Sequence, residues 1–262
     1  MEFETLLYEL EDGIAHIRIN RPKAANALNL QMCKDLMYAS LAADQDPSVR
    51  AVLLGSTGKL FCPGGDLAGM QEAGSEKSAL LKEMTTYLHA GISNLVRMSA
   101  PVIASIRGAA AGAGFSMVCA SDLALCSETA KFTMAYTAAG LVPDGSSTYH
   151  LPRMIGTRRS LDLMLTNRRL DAATALEWGI VSQVTPDEEL DETAMSLARQ
   201  LAEGPTSAFA ETKRLVLGSF DHALEAQMEG ESRGISKAAG TRDGNEGITA
   251  FLEKRAPRFT GD

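Results

Sequence analysis

Phe61-Cys62-Pro63-Gly64-Gly65-Asp66-Leu67 and Gly108-Ala109-Ala110-Ala111-Gly112-Ala113-Gly114-Phe115 share one design. Each sets small residues between a strand-like apolar run and a helix-like one. A turn of that kind lets a ligand approach the backbone, and the helix it opens presents free N–H groups at the positive end of its dipole. Taken singly, either reads as packing glycines at a tight strand–helix corner. Two such turns converging on one point can hold an anionic oxygen, which is what enolate and acyl-transfer chemistry requires. The second turn does not fit G-x-G-x-x-G, neither turn fits G-x-S-x-G, and the chain contains no G-x-x-x-x-G-K-[ST]. The dinucleotide, P-loop and simplest serine-hydrolase readings therefore fail at the residues that would do the chemistry.

Outward from these turns, strand and helix signals alternate. Leu6 to Ile19 alternates around Asp12-Gly13 and predicts a β-hairpin. A helix is predicted from about Leu30 to Ala43, capped by Asn29, with Leu30, Cys33, Leu36, Met37 and Leu41 on one face. Ala51 to Leu54, Val102 to Ile106 and Leu123 to Leu125 read as buried strands. Helical runs follow from Thr157 to Leu165 and from Ala172 to Trp178, the latter stopped by Gly179, before a strand over Ile180 to Val184. From about Leu190 only helical periodicity remains, with breaks near Gly204-Pro205 and Gly218. This gives an α/β core over 1–203 and a helical region over 204–262, with no low-complexity linker between them.

With 262 residues, 45% of them hydrophobic, the chain can bury a full core. A net charge of -8 opposes binding to nucleic acid or to anionic membranes. The acidic start Met1-Glu2-Phe3-Glu4 lacks the pattern of a secretory signal, so a cytoplasmic location is expected. The apolar stretch Ala100 to Cys126 is broken by Arg107, Asp122 and small residues, and reads as core, not as a membrane span. Cys33, Cys62, Cys119 and Cys126 form no C-x-x-C pair and have no zinc-site histidine spacing, so free thiols and no metal are expected. Cys62 reads as a small buried hydrophobe.

Asn20-Arg21-Pro22-Lys23 with Asn26-Ala27-Leu28, the two glycine-rich turns, Ala130-Lys131-Phe132, Gly140-Leu141-Val142-Pro143-Asp144, Leu151-Pro152-Arg153, Glu177-Trp178-Gly179 and Ala250 to Arg255 occur in that order. Together they resemble the crotonase superfamily, the enoyl-CoA hydratase/isomerase family, across nearly the whole chain. The resemblance implies a spiral of ββα units followed by a C-terminal helical region that joins subunits into trimers, often paired into hexamers. It implies acyl-CoA as substrate, with no further cofactor. It assigns the oxyanion-hole N–H groups to Gly65 and Ala113, where a backbone donor is indifferent to Gly or Ala. It also assigns CoA contacts to Lys23, Ala24 and Ala25, and to Phe251 and Lys254, the last two often supplied by another subunit. Read alone, Phe251 is equally a packing residue and Lys254 equally part of a solvated face.

By the same resemblance, the two glutamates of a hydratase fall on Ser116 and Tyr136, and neither is a carboxylate. Adding water across a double bond needs both a base and an acid, so hydration by the usual pair is not expected. Asp144 matches the position from which isomerases and dehalogenases of the superfamily project their aspartate, and an apolar surround of Leu141, Val142 and Tyr136 would suit a base there. Read locally, Pro143-Asp144-Gly145-Ser146 is a turn and an N-cap. His89 matches the base of the aromatic acyl-CoA dehalogenases, and Leu165 to Leu170 is also similar to that branch, although Tyr136 stands where the branch has Trp. Tyr136 could bond Asp144 or simply bury its ring. Asp66 and Asp122 read as backbone caps. The first expectation is isomerisation of a double bond or ring with Asp144 as acid/base. The alternative is dehalogenation with an Asp144 nucleophile and His89 base, or, if Asp144 faces solvent, a weakly catalytic thioester-binding paralogue. The stretch 68–78, with Gly69, Gly74 and Ser75, could close over the acyl group.

Overall fold

Leu6–Glu11 pairs antiparallel with Ile14–Ile19, the second strand alternating in burial from Ala15 to Ile19, and Asp12 and Gly13 both take the positive φ that a tight two-residue turn demands. A computed structural model describes residues 2–262. In chain order it contains β1 (Leu6–Glu11), β2 (Ile14–Ile19), α1 (Leu30–Gln45), β3 (Ala51–Ser56), α2 (Leu67–Glu72), α3 (Lys77–Arg97) and β4 (Val102–Ile106). Next come β5 (Ala109–Ala111), α4 (Ala113–Ala120), β6 (Leu123–Ser127), β7 (Lys131–Thr133), α5 (Ser147–Thr166), β8 (Leu170–Asp171), α6 (Ala172–Glu177) and β9 (Gln183–Thr185). The chain ends in α7 (Leu190–Ala202), α8 (Thr206–Gly218), α9 (Leu224–Ala239) and α10 (Arg242–Glu253).

The main sheet has the order β1-β2-β3-β4-β6-β9, parallel except for the opening hairpin. Parallel strands are covered on both faces, which is why Ala51–Leu54 and Val102–Ile106 are apolar without alternation. On one face α7 sets Leu190, Ala194, Ala198 and Ala202, at helical spacing, against Ile14, Ala51, Ile103 and Leu125. The larger core on the other face includes α1 and α3, which approach closely where Gly91 meets the Met37 backbone. A smaller sheet, β5-β7-β8, stands beside the main one. Repeated strand, strand and helix followed by helices only is the spiral with its C-terminal extension.

Three local expectations need correction. The last strand is Gln183–Thr185, not Ile180 to Val184; Ile180 and Val181 are buried, but their N–H groups bond Ala175 O across the turn that ends α6. The helix expected from Thr157 begins at Ser147. It continues through Pro152 and bends at Gly156, whose φ of 79° and ψ of 158° are not helical. Pro152 and Gly156 are breaker signals, yet here they shape one element instead of ending it. The second glycine-rich stretch is not all turn, since Ala109–Ala111 pairs with Lys131–Thr133 as β5.

Gly204-Pro205 separates α7, which covers the sheet, from α8. Arg50 reaches over this break to Gly204 O at 2.6 Å and to the Thr206 hydroxyl. Lys213 of α8 pairs with Asp122 at 2.6 Å and donates to Ala100 O at 2.9 Å. Asp122 also accepts Val102 N–H at 2.8 Å, so it caps backbone as read and holds a cation that the reading missed. Among the described residues, no helix is long and apolar enough to cross a membrane.

Candidate active site

Hydrogen bonds between the two glycine-rich turns lock them together. Cys62 N–H donates to Ala109 O at 3.1 Å, and Ala111 N–H donates to Cys62 O at 2.8 Å, as in a parallel ladder. The chains then touch at glycine: a Cβ on Gly64 would lie 3.2 Å from Ala111 O and 3.5 Å from Gly112 Cα, and a Cβ on Gly114 would fall on the Cys62 carbonyl. Gly64 and Gly112 also take φ of 102° and 50°, where L side chains are strained. Leu28 N–H bonds Gly64 O and Asp66 N–H bonds Leu28 O, each at 2.8 Å, which fixes the outer side of the first turn. Among the described residues, no backbone or side-chain acceptor takes the N–H of Gly65 or of Ala113. Both residues line one cavity of about 240 Å³. Ala113 opens α4, where free amides and the helix dipole add to the pull on an anion.

A Cβ at Gly65 would meet only the Met70 methyl, the end of a flexible side chain that can turn aside, and Met70 is itself part of the cavity wall. The Asn-Arg-Pro segment is tied to this turn. Asn26 Nδ2 donates to Thr57 O and Leu60 O, each at 2.7 Å, while Arg21 pairs with Asp66 at 3.2 Å and donates to Ala27 O. Asp66 also caps α2 through Gly69 N–H at 3.2 Å, as read. Lys23 and Ala25 are exposed beside this junction, with Ala24 half-buried between them. Phe251 is 82% exposed, and neither it nor Lys254 lines the cavity of its own chain.

Apolar walls enclose the rest of the cavity. Leu81, Met84, Thr85 and Leu88 face it from α3 at spacings of three and four residues, joined by Cys33 of α1 and by Leu67 and Met70 of α2. The α3 spacing was visible in the sequence and could have marked these residues. Thus the start of the 68–78 stretch does contribute to the wall. Cys62 is fully buried, and burial pushes its thiol up to about 12, so it is the inert residue expected.

Asp144 is the one carboxylate on the cavity wall. Its backbone carbonyl accepts the hydroxyls of Ser116 and Ser147, each at 2.9 Å, and its side chain caps nothing. Instead Oδ1 accepts the Tyr136 hydroxyl at 2.7 Å, and Oδ2 lies 3.2 Å from His89 Nε2. Tyr136 also meets Ser116 Oγ at 2.9 Å. Burial, and then the Asp144 charge, push the Tyr136 phenol well above its ordinary value, so it stays a neutral donor. Ser116, read only as an empty glutamate position, thus helps hold the site. Its side chain is fully buried, a fact no local pattern reveals.

The sequence model described as Enoyl-CoA hydratase/isomerase matches residues 9–262. The chain belongs to the enoyl-CoA hydratase/isomerase family. Its fold is the crotonase spiral, and the family acts on acyl-CoA thioesters. It is 35% identical to the 1,2-epoxyphenylacetyl-CoA isomerase of Escherichia coli, covering 100% of this chain and 99% of that protein. It is 34% identical to the 4-chlorobenzoyl coenzyme A dehalogenase-2 of an Arthrobacter species, over 94% of this chain and 90% of that protein. Among solved structures, an enoyl-CoA hydratase from Polaromonas sp. JS666 superposes with a TM-score of 0.93 at 29% identity, covering 97% of this chain and 99% of that one. These family members carry hydratase, isomerase and dehalogenase names on one scaffold, so the carboxylates at the site, not the fold, bear on the reaction.

Proposed function

We propose that this family member is an acyl-CoA isomerase that moves a double bond, or opens a strained ring, next to the thioester. The observation that carries this reading is a lone carboxylate, Asp144, sharing an apolar cavity with two unpaired amides, Gly65 N–H and Ala113 N–H. The thioester oxygen would sit between the amides while Asp144 Oδ2 takes a proton from the acyl chain. The negative charge passes to that oxygen as an enolate, and Asp144 returns the proton to another carbon. Losing one such donor typically costs about 2.7–4 kcal/mol of transition-state stabilisation. Ser116 and Tyr136 offer no second carboxylate, which argues against efficient hydration. The apolar wall suits a medium-length aliphatic or an aromatic acyl group.

One contact favours a second reading. His89 lies beside Asp144 at 3.2 Å, where it could activate water to release an aryl group from an Asp144 nucleophile after halide leaves. The third reading, a weakly catalytic thioester-binding paralogue, rests on Asp144 facing solvent, whereas its carboxylate lines the cavity. Lys23, Ala24 and Ala25 would bind the CoA portion of the substrate, and Phe251 and Lys254 of a neighbouring subunit would complete that site. Exposed Ile235, Ile248, Phe251 and Leu252 on α9 and α10 suit a homotrimer or a dimer of trimers. An acyl-CoA panel scoring double-bond migration, hydration and halide release separately tests the whole reading. Asp144→Asn is expected to lower migration by about 10²–10⁴-fold; turnover retained in that variant would sink it.

A further inference from the structure

Asp144 separates two cavities. Its carboxylate lines the apolar acyl cavity, while His89 lines a different one of about 670 Å³ on the opposite side, with Gly145, Ser146 and Tyr149. This second cavity is mixed, with Ile92, Val96 and Leu217 on its wall, but it has the polar groups that the first lacks: Arg97 of α3, His150 of α5, Arg214 of α8, and Asp221 and His222 beyond α8 border it. The His89 side chain is 50% exposed. Among the described residues, the direct side-chain link between the reacting carboxylate and that second cavity is therefore the contact of 3.2 Å between Asp144 Oδ2 and His89 Nε2.

The same His89 nitrogen lies 3.2 Å from Gly145 N, which donates to it. One imidazole nitrogen cannot accept a proton from Gly145 and donate one to Asp144 at the same time. The two contacts thus describe two states. With the proton on Nδ1, Nε2 accepts Gly145 N–H, and Oδ2 is free to take a proton from the acyl group. With a proton on Nε2, His89 donates to Asp144, and Gly145 N–H is released. The backbone donor thus satisfies the lone pair whenever Nε2 gives up its proton. Gly145 can hold this position because its φ is 58° and because a Cβ there would crowd Ser116.

We infer that His89 is a proton relay between Asp144 and the second cavity, and that it lets the proton moved during isomerisation exchange with solvent. This rests on the isomerase reading above. After Asp144 takes the substrate proton on Oδ2, that proton passes to Nε2, giving an imidazolium and regenerating the carboxylate. The imidazolium then loses its Nδ1 proton to water in the second cavity. The reverse sequence delivers a solvent proton to the enolate, so protons and charge balance without any other reactant. Tyr136 keeps Oδ1 occupied throughout, which confines the traffic to Oδ2.

The test is turnover of a β,γ-unsaturated medium-chain acyl-CoA in D2O, with product deuterium counted by mass spectrometry. The wild-type product is expected to carry solvent deuterium. In His89→Leu, migration continues, but deuterium per turnover falls by on the order of tenfold as Asp144 returns the proton it removed. His89→Gln, which keeps polarity but cannot relay, should behave alike and decides the matter if the leucine variant fails to fold. A residue that merely packed would change the rate and leave the ratio of exchange to turnover alone. Unchanged exchange per turnover in the folded variant, or no deuterium in the wild-type product, overturns the relay. Absence of migration by the wild-type enzyme would instead sink the isomerase reading, and the relay with it.

Discussion

Asp144 is held on each carboxylate oxygen by a different kind of neighbour, a phenol at 2.7 Å and an imidazole at 3.2 Å. The phenol cannot share the negative charge, because burial keeps it protonated, so it acts as an orienting donor. Tyr136→Phe removes a hydrogen bond to a charged group, worth about 1.5–3 kcal/mol, and frees the carboxylate to rotate. The expected result is a fall in kcat of roughly ten- to a hundredfold with KM little changed, read from steady-state kinetics on the substrate the panel identifies. A large rise in KM with kcat intact would show Tyr136 to be a substrate-binding residue instead. Little of this was legible in the sequence. Asp144, Tyr136 and His89 could each be aligned to family positions, but Asp144 and His89 lie 55 residues apart, and without that alignment no spacing rule brings a mid-helix histidine to a turn that far along the chain. Ser116 was missed for a related reason, since a serine among small apolar residues in α4 looks like filler until its partners are visible.

At the scale of elements, the amides of Gly65 and Ala113 are positioned by a backbone ladder between Cys62 and the Ala109–Ala111 strand. Gly114 is the tightest point of that contact. Gly114→Ala would drive a methyl into the Cys62 carbonyl and force the turns apart, with an expected loss of about 1–3 kcal/mol from overpacking and a larger proportional loss of activity. Urea denaturation read alongside kcat/KM checks this, and a variant of wild-type stability and activity would contradict it. Elements with strong local signals were legible: the hairpin at Asp12-Gly13, α1 with its Asn29 cap, and the apolar parallel strands. The errors fell where local and long-range demands diverge. Ile180 and Val181 are apolar because the connection is buried, not because it is a strand, and α5 runs through two residues that ordinarily stop a helix.

For the whole molecule, the main polar tie from α8 to the spiral is Lys213, set between Asp122 and Ala100 O. Burial raises the Asp122 pKa despite the neighbouring cation, so its proton affinity is higher folded than unfolded, and its ionisation costs stability as pH rises through the folded value. Lys213 offsets that cost. Lys213→Met leaves the charge uncompensated. Breaking a buried pair costs about 3–5 kcal/mol, and less is expected here because the Asp122 side chain is 25% exposed. The deficit relative to wild type should be full at neutral pH and shrink as the pH falls towards the ordinary carboxylate range, because Asp122 takes up its proton first in the folded variant and then in folded wild type, both above the unfolded value. Thermal midpoints of both proteins across that range test it; a deficit independent of pH would mean that lost packing, not charge, is responsible.

Ser116, Tyr136 and Asp144 form a chain of contacts, 2.9 Å from Ser116 to Tyr136 and 2.7 Å from Tyr136 to Asp144. These are also the positions at which family resemblance places catalytic carboxylates. Because Ser116 Oγ lies 2.9 Å from the Asp144 carbonyl and the Tyr136 hydroxyl 2.7 Å from its carboxylate, a glutamate introduced at 116 or 136 would enter the immediate surroundings of Asp144, and like charges at close range oppose each other's ionisation. The site therefore has room for one negative charge, and its three stations compete for it. Engineering a hydratase from this chain means vacating position 144 before filling the others, an order of substitution imposed by electrostatic exclusion.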